Sequence, residues 1–270
     1  MSFSAAWLAM REPYDRAARN GGVLHAVAAA FAGASSTMVT DLGCGTGATM
    51  RAIAPHLPAC QSWRLVDNDK ALLAKILQEG PADAAPALAS VFTIAADLSG
   101  PVEPVLGDCD LVTTSALLDL VSAAWLDRLA ASLARLVRPL YAALSYDGAV
   151  TLTPGSRHDG EVIAAVNRHQ RTDKGFGPAL GPDAAWTAPA RLRAAGFTVI
   201  EGRSDWRFGA GDHAIQMEML ADWAGAAREI GVDSSIIEEW LGERRNHVAA
   251  GRSHMRVGHI DFFATPTGRR

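Results

Sequence analysis

The sequence predicts an α/β protein with a mostly parallel, doubly wound sheet and helices on both faces, and three observations lead to this fold class. The 270 residues, 49% of them hydrophobic, are enough for a large buried core. Short apolar runs alternate with stretches of helical periodicity through the first half of the chain, as they do in parallel sheets. A glycine-rich turn joins the first apolar run to the helical stretch that follows it.

The individual elements follow in chain order. Strands are predicted at Met38–Leu42, Trp63–Asp67, Val91–Ala96, Leu111–Thr114 and Leu140–Tyr146. Helices are predicted at Ala48–Leu57, Lys70–Glu79 and Ala124–Val137, and one or two more across Ala5–Ala32. After an irregular stretch, the pattern continues with helix Asp183–Ala195, strand Phe197–Glu201, helices His213–Ile230 and Ser234–Ala250, and strand Arg256–Ala264.

Composition excludes several classes of function. The net charge of −4 disfavours electrostatic capture of nucleic acid or of an anionic membrane. No apolar run approaches the roughly 18 residues that a membrane span needs, and the first residues lack the basic-then-apolar order of a signal peptide. Three cysteines without metal-ligand spacing indicate a reducing compartment and no structural zinc. We therefore expect a cytoplasmic protein without a metal site.

The most informative segment is the glycine loop, in which Asp41 is followed by Gly43, Cys44, Gly45 and Gly47. Glycines let the backbone turn sharply and let a ligand approach closely. The loop differs from the GxGxxG spacing of dinucleotide-binding enzymes because its third glycine comes one residue early. Its leading carboxylate would repel a pyrophosphate but attract a cationic group.

This block resembles the first motif, D/E-x-G-x-G-x-G, of class I S-adenosylmethionine-dependent methyltransferases. The resemblance covers residues 37–147 with specific motifs and extends weakly to the two last strands. It implies a Rossmann-like, seven-stranded sheet with a helical and loop cap. It also implies S-adenosyl-L-methionine as cofactor, S-adenosyl-L-homocysteine as product, and a cofactor-binding role for the five residues of the glycine loop.

Further candidates for cofactor binding lie at the ends of the predicted strands. Asp67 ends the second strand at nearly the spacing expected of an acid that binds ribose hydroxyls, and Asn68 comes next. The resemblance places Asp97 and Leu98 at the adenine, and Ser115 and Ala116 at the methionine part of the cofactor. The loop after the fourth strand lacks the Asn/Asp-Pro-Pro-Tyr/Phe tetrapeptide of many enzymes that methylate nucleic acid bases.

Four regions are predicted along the chain. Residues 1–36 form an N-terminal helical lid, and residues 37–150 form the cofactor-binding core. Residues 151–182 form an insert that covers the acceptor substrate or, alternatively, a solvated loop. Residues 183–270 complete the core, with extra helices within 213–250. From the lid, Arg11 and Tyr14 are candidates for binding the methionine carboxylate, although the alternative is that this helix only packs on the core.

The catalytic candidates lie beyond the fifth strand, because ligands of open α/β sheets bind at the carboxyl ends of the strands. His169, Asp147 and Asp173 are the groups there that can accept a proton from an acceptor. Four tryptophans of the C-terminal half either fill the core or line an apolar acceptor pocket, and the first is favoured: Trp186, Trp206, Trp223 and Trp240.

The sequence thus predicts a methyltransferase that acts on a small-molecule acceptor. The alternatives are a methyltransferase for protein or nucleic acid, a binding protein without catalysis and, from another class, a nicotinamide oxidoreductase. The acceptor atom and the oligomeric state stay open.

Overall fold

The computed structural model describes residues 3–79 and 88–267. The helices are α1 Ala5–Ala18, α2 Gly21–Phe31, α3 Ala48–Ile53, α4 Lys70–Glu79, α5 Glu103–Leu106, α6 Ala123–Leu136, α7 Asp159–Gln170, α8 Ala184–Ala194, α9 His213–Glu229 and α10 Ser234–Ala249. The strands are β1 Thr37–Leu42, β2 Gln61–Asp67, β3 Leu88–Ala95, β4 Leu111–Ser115, β5 Leu140–Thr153, β6 Phe197–Arg203, β7 Trp206–Phe208 and β8 His254–Pro266.

The strands form one sheet in the order β3-β2-β1-β4-β5-β8-β6, and the short β7 also pairs with β8. The pairs from β3 to β5 are parallel, whereas β8 runs antiparallel to its three neighbours. The strand order reverses direction between β1 and β4, so the sheet is doubly wound as predicted. It differs from the predicted seven-stranded sheet by one strand, the three-residue β7.

Helices cover both faces because the central strands are apolar on both sides. Val39 of β1 belongs to one core cluster and Leu42 to the other, and neither is exposed. In α6, Leu126, Leu129 and Leu133 are buried at helical spacing against the second cluster. The two clusters are the two layers between the sheet and its helices.

The predicted insert differs from the structure. Residues 151–182 were expected to be irregular, but β5 continues to Thr153 and α7 spans Asp159–Gln170. The buried stripe of α7 consists only of Val162, Ala165 and Val166, which is too short to stand out among polar neighbours. The loop between α7 and residue 180 remains irregular.

None of the helices in the described ranges is both long and apolar enough to cross a lipid bilayer. Within the same residues, no three His, Cys, Asp or Glu side chains converge in an arrangement that suits a metal ion.

Candidate functional site

The glycine loop lies at the carboxyl end of β1, where the sheet order reverses. Gly43, Gly45 and Gly47 all have positive φ, of 67°, 54° and 84°. The carbonyl of Val66 in β2 accepts hydrogen bonds from the backbone N–H groups of Gly43 and Cys44. A Cβ on Gly45 would come within 3.2 Å of a methyl of Leu8, so the loop also touches helix α1.

A cavity of about 330 Å³, here called the strand-end cavity, opens at this loop. Its polar lining comes from the ends of β2, β3 and β4, and its walls come from α1 and from the loop that follows α7. The predicted cofactor residues that line it are Gly43, Gly45, Asp67, Asn68, Asp97, Leu98, Ser115, Ala116 and Arg11. The structure thus brings nine of the predicted residues together at one edge of the sheet.

Asp67 is held in place from two sides. Its Oδ2 accepts a 2.8 Å hydrogen bond from the backbone N–H of Gly45, and its Oδ1 accepts one of 2.9 Å from Asp69. A carboxylate has about four acceptor positions, so capacity for further hydrogen bonds remains. At the end of β3, the exposed Asp97 accepts a hydrogen bond from Ser99, which lowers the pKa of its carboxyl group.

Four predicted cofactor residues do not line the strand-end cavity. Gly47 directly precedes α3, and Cys44 is buried in the core beside the loop. Tyr14 donates a 2.6 Å hydrogen bond to Asp212 instead of facing the cavity. Asp41 is completely buried under the glycine loop, and burial raises the pKa of its carboxyl group to about 7.

The environment of Asp41 leaves one oxygen unused. Its Oδ1 accepts a 2.7 Å hydrogen bond from the hydroxyl of Thr113, whereas its buried Oδ2 has no hydrogen-bond partner. The charge of Arg19 favours the ionised form. A ligand cation above the glycine loop would act in the same direction.

A second cavity, of about 480 Å³, adjoins the first and is here called the aromatic cavity. Its aromatic lining residues are Phe3, Trp7, Tyr146, Trp206 and Trp223, and its carboxylates are Asp119, Asp222 and Glu229. The two cavities share the lining residues Phe3, Arg11, Ala116 and Leu120. A ligand in one therefore lies next to a ligand in the other.

Strained backbone lies around the aromatic cavity. Ala116 and Leu144 line it, and each has a positive φ, of 51° and 54°, although neither is glycine. The N–H of Ala116 donates to the carbonyl of Ala143, and the N–H of Leu144 donates to the carboxylate of Asp261. Such strain persists only where the surroundings fix it, and it concentrates at functional sites.

Of the three catalytic candidates, His169 alone lines one of these two cavities in the described part of the chain. It lies at the end of α7, and its Nε2 is 2.9 Å from a carboxylate oxygen of Glu229 in α9. The ammonium of Lys174 lies 3.4 Å from the other ring nitrogen and also lines the strand-end cavity. The pKa of Lys174 is lowered by burial.

Asp147 and Asp173 instead accept hydrogen bonds from backbone N–H groups close to them in sequence. Asp147 accepts the N–H of Ala149 at an irregularity of β5 and lies 3.7 Å from Arg203. Asp173 accepts the N–H groups of Gly175 and Gly177. Neither carboxylate is part of the lining of the two cavities.

Sequence reasoning missed one carboxylate of the lining and favoured a core position for two of its tryptophans. Asp119 was not singled out, although it lies in the loop after β4 that was assigned to the cofactor. Trp206 and Trp223 line the aromatic cavity, although Trp206 is also part of the buried core. Phe176, which lines the strand-end cavity, packs edge-on against Trp125 with ring centroids 5.8 Å apart.

Comparison with known proteins finds likeness in structure alone. No family model matches the chain, and no curated protein matches it in sequence. The YcgJ protein from Bacillus subtilis shares 13% identity at a TM-score of 0.53, covering 92% of this chain and 100% of that one.

Two further solved structures are similar. The cyclopropane synthase MmaA2 from Mycobacterium tuberculosis shares 13% identity at a TM-score of 0.52, over 97% of this chain and 94% of its own. A cyclopropane-fatty-acyl-phospholipid synthase-like protein from Lactobacillus casei shares 14% identity at a TM-score of 0.53, over 98% and 95%. These likenesses, together with the strand order, confirm the predicted Rossmann-like fold.

Proposed function

We propose that this protein is an S-adenosylmethionine-dependent methyltransferase that acts on a small-molecule acceptor. The observation that carries the proposal is the pair of adjoining cavities at the carboxyl ends of the strands. The strand-end cavity has the lining that the first motif and its following acids imply for the cofactor. The aromatic cavity shares four residues with it and has the volume of a small-molecule site.

The residues present suit the cofactor. Asp67 would bind the ribose hydroxyls, Asp97 and Leu98 would contact the adenine, and Ser115 would lie near the methionine part. The unpartnered, buried Oδ2 of Asp41 would stabilise the positive end of the cofactor through the glycine loop. Bound S-adenosylmethionine would supply a methyl group already activated by its positive sulfur.

The protein itself would align the acceptor with the methyl group and exclude water from the site. The aromatic cavity would orient the acceptor, and Arg11 would lie where the two ligands meet. His169, paired with Glu229, is our candidate for accepting a proton from the acceptor.

Calorimetry tests the proposal directly. Titration of the full-length protein with S-adenosylhomocysteine is expected to release heat at a stoichiometry of about one, and titration with NAD is expected to release none. Binding of NAD alone would overturn the assignment in favour of an oxidoreductase. Binding of neither ligand would remove the cofactor proposal altogether.

A further inference from the structure

The walls of the aromatic cavity suit a ligand with an apolar body and a positive charge. Trp7, Tyr146, Trp206 and Trp223 reach it from four different segments of the chain. The faces of such rings attract cations and also bury apolar surface. Because Tyr146 donates its hydroxyl hydrogen to Asn167, its polar end is already satisfied.

One carboxylate oxygen of this cavity lacks a hydrogen-bond partner. Asp119 lines the cavity with 7% of its surface exposed, and its buried Oδ1 has no hydrogen-bond partner. Burial raises the pKa of this carboxyl group to about 6, so it is largely ionised at neutral pH. A buried acceptor without a donor is costly, and a ligand that donates to it would recover that cost.

The loop that carries Asp119 is fixed in position. The backbone carbonyls of Asp119 and Val121 accept hydrogen bonds from the N–H groups of Gly181 and Leu180, at 2.9 and 2.8 Å. The backbone that carries the carboxylate is therefore held in place before a ligand binds.

Of the basic groups in the lining, Arg11 is shared with a second carboxylate, and His259 is uncharged at neutral pH. Arg11, whose charge acts on Asp119, lies 3.0 Å from the buried carboxylate of Asp15 and above the ring of Trp206. Burial lowers the pKa of His259 to about 3, so this imidazole is uncharged at neutral pH. Its Nδ1 lies 3.1 Å from a backbone carbonyl.

The other charged lining groups leave the cavity acidic. His169 faces Glu229 at 2.9 Å, so any charge on this imidazole is matched by that carboxylate. Asp222, also in the lining, lies in α9 one turn after Glu218, and burial together with the charge of Glu218 raises the pKa of its carboxyl group. The three carboxylates of the lining thus outnumber the guanidinium of Arg11, which favours a ligand with a positive charge.

We propose that the acceptor bound in the aromatic cavity is a small molecule that carries a protonated amine on an aromatic or apolar body, and that Asp119 binds the amine. This inference rests on the proposed methyltransferase function, because it names the substrate class of the same site. It leaves open which atom of the acceptor receives the methyl group.

The test compares three probes of nearly equal shape that differ in charge: tryptamine, its alcohol counterpart tryptophol and its carboxylate counterpart indolepropionate. Calorimetry on the full-length protein saturated with S-adenosylhomocysteine is expected to show tryptamine binding at least about 10-fold more tightly than either counterpart. Asp119→Asn is expected to remove this preference and to leave the affinity for S-adenosylhomocysteine within about twofold. Asp127→Asn, an exposed carboxylate that pairs with Arg191, is the control with the same change of net charge.

Equal or tighter binding of tryptophol or indolepropionate overturns the inference, and so does an amine preference that survives Asp119→Asn. Failure of all three probes to bind has the same consequence. Should Asp119→Asn not fold, the ranking of the probes on the unaltered protein still decides. If S-adenosylhomocysteine does not bind, the proposed function fails, and the ranking on the cofactor-free protein tests the amine preference separately.

Discussion

Asp67 is held at the candidate cofactor site by two backbone hydrogen bonds, one of which comes from the glycine loop. Those bonds, from Gly45 and Asp69, orient the carboxylate at the end of β2 before any ligand arrives. A side chain fixed in this way binds a diol without paying for its own ordering. We therefore expect the removal of the Asp67 carboxylate to weaken cofactor binding directly.

We expect Asp67→Ala to weaken binding of S-adenosylhomocysteine by at least about 10-fold, because hydrogen bonds to a charged group contribute about 1.5–3 kcal/mol each. Calorimetry measures the affinity, and circular dichroism checks that the variant folds. Asp127→Ala, at an exposed ion pair with Arg191, is the matched control and should bind as the unaltered protein does. An unchanged affinity for Asp67→Ala would remove this residue from the site.

Asp41 should make stability depend on pH. Its pKa is raised by burial from 3.8 to about 7, so the folded protein retains a proton that the unfolded chain has released between these values. The contribution of Asp41 to the free energy of unfolding therefore falls as pH rises from about 4 to about 7. We expect Asp41→Asn to lose less stability than the unaltered protein over this range, measured by urea unfolding at several pH values. Parallel pH profiles of the two proteins would contradict the raised pKa.

The strand-end residues were predictable from sequence because each follows a recognisable element. An acid after an apolar run, such as Asp67 or Asp97, needs only the local pattern to be placed at a strand end. Asp119 and Trp206 were not predictable as lining residues of one cavity, since the loop after β4 and the strand β7 lie far apart in sequence and come to this cavity only through the packing of the whole sheet. No local sequence pattern indicates that these two residues line the same cavity.

An ion pair between Glu12 and Arg51 links helix α1 to helix α3 and, through Arg51, to the glycine loop. Glu12 accepts two hydrogen bonds of 2.6 Å from the guanidinium of Arg51 in α3, which also donates to the carbonyl of Thr46 in the loop. Burial acts to raise the pKa of Glu12, but the hydrogen bonds and charge of Arg51 outweigh it and hold the pKa below the usual value. The pair joins the N-terminal region to the core at the edge of the candidate site.

We expect Glu12→Gln to lower the free energy of unfolding by about 1–2 kcal/mol at pH 7, allowing for solvent screening of a half-buried pair. Because the pKa of Glu12 is lower in the folded protein, this difference should shrink as pH falls below about 4.5. Urea unfolding at pH 7 and at acidic pH measures both effects, with Asp127→Asn as the exposed control. A difference that stays constant with pH would show that the loss is not electrostatic.

At the level of elements, the sequence predicted well where periodicity was long and poorly where it was short. Helix α4 has the predicted bounds, and α6 differs by one residue at each end. Helix α7 was missed because three small or medium apolar residues carry its buried face. The continuation of β5 past Tyr146 was missed because Asp147 and Gly148, at an irregularity of the strand, end its apolar run, and most of the residues that follow are not buried.

For the molecule as a whole, the strand-end cavity is assembled from three distant parts of the chain. Phe3, Leu8 and Arg11 come from the N-terminal region, the strand ends come from the core, and Lys174 and Phe176 come from the loop after α7. A ligand that fills this cavity contacts all three parts at once. Its binding energy therefore also stabilises the association of the two outer parts with the sheet.

Hydrogen exchange measures this coupling. We expect saturating S-adenosylhomocysteine to slow amide exchange in residues 3–18 and 172–178 as well as at the carboxyl ends of β1 to β4, because local opening of either outer part would first have to release the ligand. Exchange in α10, which supplies no lining residue to this cavity, should change only as far as global stability does. Protection confined to the strand ends would show that the N-terminal helix and the loop after α7 do not close over the cofactor, and that the cavity is formed by the core alone.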